Sequence, residues 1–157
     1  MVLALEGYVC LVAEVIVASD APWVIDEVRA VLSGPDDVVR AVNAGRHVLP
    51  AVIAHTPDLV VLDLQIGSMG AMATCMELRL EESGGRAPHV RVLFLLDRRA
   101  DVFLARRSEA DGWVIKPLDP VRLRKAARAV LAGDRYEDQS YRPLTVAGFV
   151  STGPGHA

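Results

Sequence analysis

A chain of 157 residues that is 52% hydrophobic and 24% charged has the length for one domain whose core closes without disulfides or a structural metal. Its net charge of -3 supplies no broad basic field for gripping nucleic acid by its phosphates, so direct DNA or RNA binding is not expected. Cys10 and Cys75 stand far apart with no CxxC spacing, which argues against a zinc site and a disulfide framework and fits a reducing cytoplasm. The apolar stretch from Met1 to Ala18 carries Glu6 and Glu14 and lacks a basic start. It therefore reads neither as a signal peptide nor as a membrane span, which needs about 20 uncharged apolar residues. Residues 1–13 are expected to be an extension packed against the domain, with a misplaced start site as the alternative.

The first strand is Val15-Ile16-Val17-Ala18, ending in Ser19-Asp20. Ala21-Pro22 then opens a helix, because proline at the first helical position loses no hydrogen bond, and Val24, Ile25, Val28, Val31 and Leu32 form its inner stripe as far as Ser33-Gly34. Val38 to Val42 reads as a second strand, and Gly45 to His55 as a second helix with Val48, Leu49, Val52 and Ile53 inward. Leu59-Val60-Val61-Leu62-Asp63 is the central strand. A loop at Ile66 to Gly70 leads to a third helix carrying Met72, Cys75, Met76 and Leu80, closed by Ser83-Gly84-Gly85. Val90 to Leu96 is the fourth strand, residues 99–108 a short fourth helix, and Gly112 to Ile115 the fifth strand. Asp119-Pro120 caps a last helix ending near Gly133.

Strands that are β-branched throughout and bounded by turns are buried on both faces, as in a parallel sheet wrapped by helices. Alternation with short connections predicts right-handed crossovers and an α/β fold, a flavodoxin-like doubly wound five-stranded parallel sheet of order 2-1-3-4-5 over residues 14–133. From 134 to 157 the pattern fades, and a mobile tail without a fold of its own is expected.

Three apolar runs end in one charge each: Asp20, Asp63 and, in Trp113-Val114-Ile115-Lys116-Pro117, Lys116. In the predicted strand order these charges meet at the carboxyl edge of the sheet, where such folds bind ligands. A buried charge needs a partner, a metal or a ligand, so the set reads as a cation and phosphoryl site. Each member alone has a plainer account: Asp20 as a helix cap, Asp63 as a carboxylate held by backbone donors, Lys116 as its structural partner. Together they favour a site.

Residues 14 to about 133 resemble the receiver domain of bacterial two-component response regulators. The resemblance rests on Pro57-Asp58-Leu59-Val60-Val61-Leu62-Asp63 with the later Lys116-Pro117. It implies that Asp63 accepts a phosphoryl group from a histidine kinase or phosphotransfer protein, and that Lys116 contacts the phosphoryl oxygens. It further implies Mg2+ held by Asp20, Asp63 and the backbone carbonyl of Gln65. The implied role is signalling rather than enzymatic, with docking to a separate effector, and a possible homodimer, through the face of the fourth helix, fifth strand and fifth helix.

Two departures from the family pattern stand out. Ser19 fills the first place of the usual acidic pair, which weakens the expected metal affinity. Leu96, or Leu95 with a one-residue shift, stands where a threonine or serine hydroxyl would couple phosphorylation to the next loop, and leucine donates no hydrogen bond. The usual aromatic of the fifth strand is Trp113, which at that edge is either a partner contact or a lid on the core. Arg98 and Arg99, at the start of the next loop, are expected to stay solvated. The reading is a single-domain, atypical response regulator. The alternative is a degenerate receiver that acts as an interaction module without phosphorylation, supported by Leu96 and Ser19. A phosphatase with Asp63 as nucleophile is disfavoured, since the haloacid dehalogenase pattern needs an aspartate where Gln65 stands.

Overall fold

The computed structural model describes residues 13–140. The expected extension over 1–13 therefore lies outside the described residues except for Ala13, as does the tail beyond 140. Strands β1 (Glu14–Ala18), β2 (Val38–Val42), β3 (Leu59–Asp63), β4 (Arg91–Leu96), β5 (Gly112–Ile115) and β6 (Tyr136–Glu137) form one parallel sheet of order β2-β1-β3-β4-β5-β6. Helices α1 (Pro22–Leu32), α2 (Val48–His55), α3 (Ala71–Ser83), α4 (Val102–Arg107) and α5 (Pro120–Leu131) fill the crossovers. Single 3-10 turns at Gly45–His47 and Arg99–Asp101 lead into α2 and α4.

Every residue of β3 is buried. Successive side chains of a strand point to opposite faces, and the two cores follow that rule. Leu59 and Val61 join Val15, Val17, Leu93, Leu95 and Val114 beneath α1 and α5, while Val60 and Leu62 join Ile16, Phe94, Leu96 and Ile115 beneath α2, α3 and α4. Helices on both faces are what turn these strands into unbroken apolar runs. The register Ala18↔Leu62, Asp63↔Leu95 and Leu96↔Ile115 brings the carboxyl ends of β1, β3, β4 and β5 to one edge.

Ile53, expected inside, is 54% exposed, and the apolar Met76 and Leu80 of α3 are 49% and 62% exposed. The buried line of α3 is Ala71, Thr74, Cys75 and Leu78, at helical spacing but made mostly of small residues. The conspicuous methionines and Leu80 sit beside that line. In α2, Val48 and Val52 are buried and Ile53 projects past them. The Cys75 thiol donates to the Ser108 carbonyl oxygen at 3.2 Å, and burial pushes its pKa up to about 11, so it is a protonated core group.

The sheet also has a strand that the sequence pattern assigned to the tail. Tyr136–Glu137 adds to β5, with Gly112↔Tyr136 and Trp113↔Glu137 in register. Gly112 makes room for it, since a Cβ there would sit 2.7 Å from the Tyr136 carbonyl oxygen. Asp138 anchors it: the Ile115 N–H and the Ser140 N–H each donate to its carboxylate at 2.9 Å, and Arg122 Nη1 lies 3.3 Å away. Burial alone would raise the Asp138 pKa, but these hydrogen bonds and the guanidinium outweigh it and hold the pKa below its ordinary 3.8.

Because its folded-state pKa is depressed, Asp138 contributes stability in full above the unfolded-state value, and that contribution is lost as pH falls through the lower folded value. Asp138→Ala is expected to cost about 2–4 kcal/mol at neutral pH, and to flatten the fall in stability below about pH 4. Urea melts of both chains between neutral and acidic pH check this.

Candidate functional site

Asp63 ends β3 and is 1% exposed. A carboxylate so placed needs donors on both oxygens, and it has them. Lys116 Nζ donates to Oδ1 at 2.7 Å, the Gln65 N–H donates to Oδ1 at 3.3 Å, and Ser19 Oγ donates to Oδ2 at 2.7 Å. Ser19, itself buried, accepts from the Ala21 N–H at 3.1 Å, so a short relay runs from the start of α1 to Asp63. Lys116 follows β5 directly, where its N–H donates to the Leu96 carbonyl oxygen at 2.8 Å, and the Lys116–Pro117 peptide bond is cis.

Asp20 is exposed and does not cap α1, whose N-cap is Ala21 with no side-chain cap bond. Its Oδ2 instead accepts from the Gly67 N–H at 3.1 Å, across the loop that follows Asp63. The Gly67 carbonyl oxygen in turn accepts from the Gly45 N–H at 3.2 Å. Gly45 is the residue this approach requires, since a Cβ there would lie 1.8 Å from the Met69 carbonyl oxygen. Of the three charges expected to converge, Asp63 and Lys116 meet directly, whereas Asp20 bonds the Gly67 N–H of the following loop; Ser19 and the Gln65 N–H complete the contacts of the Asp63 carboxylate.

Two residues at the site escaped the sequence reading. Asp97 Oδ1 accepts from Lys116 Nζ at 3.2 Å, and Lys116 Nζ lies 5.7 Å from the centroid of the Trp23 ring. Asp97 had a signal, because Val92-Leu93-Phe94-Leu95-Leu96-Asp97 is a fourth apolar run ending in a charge. Trp23, just after the proline of α1, had none.

The family model of the response regulator receiver domain matches residues 15–128. The chain belongs to this family. It is 31% identical over 142 residues to the DNA-binding response regulator MtrA of Mycolicibacterium smegmatis, covering 90% of this chain and 60% of that protein. With the nitrate/nitrite response regulator protein NarL of Escherichia coli it shares 27% over 137 residues, covering 86% and 62%. The chain therefore spans about 60% of the length of these relatives. A crystal structure of a LuxR-family two-component response regulator from Aurantimonas sp. SI85-9A1 superposes with a TM-score of 0.68 at 26% identity, covering 79% of this chain and 88% of that one. Receiver domains are signalling modules of two-component systems, and among the described residues no helix is long and apolar enough to cross a membrane.

In this receiver domain Leu96 is fully buried, packed in the core with Trp113 and Ile115, and Leu95 points to the opposite core. Trp113 is 1% exposed rather than open at an edge: it packs in the core with Phe94, Leu96 and Ala105, and β6 extends the sheet beyond β5. The Arg106 and Arg135 guanidinium carbons lie 5.3 and 6.0 Å from its ring centroid, and both side chains pair with Glu137, at 3.3 and 3.6 Å. Arg98 and Arg99 are exposed, and Arg98 pairs with Asp101 at 3.1 Å.

The carboxylates of Asp63 and Asp20 offer oxygen, the ligand type Mg2+ prefers, although among the described residues no group of three or more His, Cys, Asp and Glu gathers around one point.

Removing one partner of a buried ion pair leaves the other uncompensated. Lys116→Met is expected to lower the unfolding free energy by about 3 kcal/mol, and Asp63→Asn with Lys116→Met by less than the sum of the two single changes. Chemical denaturation of the three variants and the parent closes the cycle.

Proposed function

We propose that this chain accepts a phosphoryl group on Asp63 from a histidine kinase or phosphotransfer protein, and passes the signal on by protein docking. The observation that carries the reading is the contact of Asp63 with Lys116, residues 53 apart in sequence, at 2.7 Å on the ligand-binding edge of the sheet. In the transfer, a carboxylate oxygen of Asp63 attacks phosphorus, the bond from phosphorus to the donor nitrogen breaks, and the electron pair leaves with the donor imidazole. The Lys116 ammonium stays beside the acceptor and neutralises charge on the transferred group. Ser19 and the Gln65 N–H hold the carboxylate in place before the attack. Mg2+ would be held by Asp20, Asp63 and the Gln65 backbone carbonyl, where it screens phosphoryl charge, with affinity reduced because Ser19 brings no charge. The domain comprises the sheet from β1 to β6 with its helices, and works in the cytoplasm. It docks a separate effector, or a second copy, through the face of α4, β5 and α5.

One observation favours a second reading. Leu96 offers no hydroxyl to a phosphoryl group, and Trp113 is buried in the core with two guanidiniums near its ring. A conformation so fixed suits an interaction module that works without phosphorylation.

Incubation with acetyl phosphate and Mg2+ followed by intact mass measurement separates the two. The first reading expects a phosphoryl adduct on the parent and none on Asp63→Asn; no adduct at high Mg2+ overturns it. The second expects Asp63→Asn and Lys116→Ala to keep full signalling in cells, and loss of output in both variants, each shown to be folded, overturns that one.

A further inference from the structure

We infer that Asp97 restrains phosphorylation of Asp63 by holding a share of Lys116. The inference rests on the reading of Asp63 as acceptor and adds a positioning residue to that site. Lys116 Nζ stands between two carboxylates, 2.7 Å from Asp63 Oδ1 and 3.2 Å from Asp97 Oδ1. The Lys116 side chain is 11% exposed and that of Asp97 32%, so the contact with Asp63 is shielded from water and the contact with Asp97 is partly screened. The second oxygen, Asp97 Oδ2, is shielded from solvent and has no hydrogen-bond partner among the described residues. The charge of Asp97 is therefore compensated through Oδ1 and Lys116.

A phosphoryl group on Asp63 brings more negative charge and more acceptor oxygens to the same ammonium. If Lys116 turns fully toward them, Asp97 is left without its cation; if it stays, the phosphoryl group is short of a donor and faces a second anion nearby. Either arrangement raises the free energy of the phosphorylated state relative to the free one. Asp97 acts through Lys116 and has no bond to Asp63 of its own.

The test compares the parent, Asp97→Asn and Asp97→Glu. Each is incubated at the same sub-saturating acetyl phosphate with Mg2+, the phosphorylated fraction is read by intact mass, and thermal melts are recorded alongside. Asp97→Asn, which keeps the volume and loses the charge, is expected to raise the phosphorylated-to-free ratio roughly tenfold. Asp97→Glu, which keeps the charge, is expected to stay near the parent whatever its melting temperature. An unchanged or lower ratio in Asp97→Asn overturns the inference, as does an equal rise in both variants, which would trace the effect to packing. A tenfold or greater loss of Mg2+ affinity in Asp97→Asn also overturns it, by making Asp97 a metal ligand. If the parent takes a phosphoryl group and Asp97→Asn gains nothing, the inference alone fails; if no chain takes one, the acceptor role of Asp63 fails with it.

Discussion

Asp63 lies at the end of a strand whose residues are all buried, and its carboxylate is compensated by three donors drawn from three parts of the chain. Lys116 comes from the end of β5, Ser19 from the end of β1, and the Gln65 N–H from the loop just beyond. The Gln65 N–H is local to the turn, but Ser19 reaches Asp63 only if β1 lies beside β3, and Lys116 only if β4 and β5 follow in the observed order and register. The buried pair thus requires the sheet to be correctly assembled, since a carboxylate stranded there without Lys116 costs several kcal/mol.

Around this pair the site is built in two different materials. On the side of β1 and the acceptor loop, the links are hydrogen bonds in sequence: Ala21 to Ser19, Ser19 to Asp63, Gly67 to Asp20, and Gly45 to Gly67. On the side of β4 and β5, apart from Lys116 and Asp97, the material is apolar: Leu96, Trp113 and Ile115 interlock in one core. Asp97 lies on the border between them, its one bonded oxygen on Lys116 and the other shielded, with no hydrogen-bond partner among the described residues.

Much of this was legible from residue order. Strands buried on both faces leave long β-branched runs, and charges that end such runs in a parallel sheet must gather at one edge, which is why Asp63 and Lys116 meet; that Ser19 rather than Asp20 would bond Asp63 did not follow from that pattern. What stayed hidden depends on small or featureless residues. The buried stripe of α3 is Ala71, Thr74, Cys75 and Leu78, so the apolar weight of Met76 and Leu80 pointed to the wrong side of the helix. A two-residue strand such as Tyr136–Glu137 carries no period, and its existence depends on Gly112 yielding space and on Asp138 accepting from the Ile115 N–H. With β6 unseen, Trp113 looked like an edge aromatic. Asp97 repeated the pattern that marked the other charges, but a residue adjoining an anomalous Leu96 drew attention to the leucine instead.

The contrast between the two materials bears on how such a site can respond. A hydrogen-bonded chain re-pairs when one acceptor takes a new partner: if Asp20 or Asp63 engages another ligand, the Gly67 N–H and the Ser19 hydroxyl need new acceptors, and the loop between Gln65 and Gly70 must adjust. A leucine packed against a tryptophan has no alternative partner to exchange for, and close-packed interiors move between discrete arrangements rather than deforming by degrees. Trp113 is further pinned by Arg106 and Arg135, each paired with Glu137 on β6. Replacing a hydroxyl with Leu96 thus does more than delete one hydrogen bond. It changes the end of β4 from a surface that can exchange partners into part of the core, and leaves the exchangeable contacts of the site to Lys116, Asp97 and the loop beside Asp20.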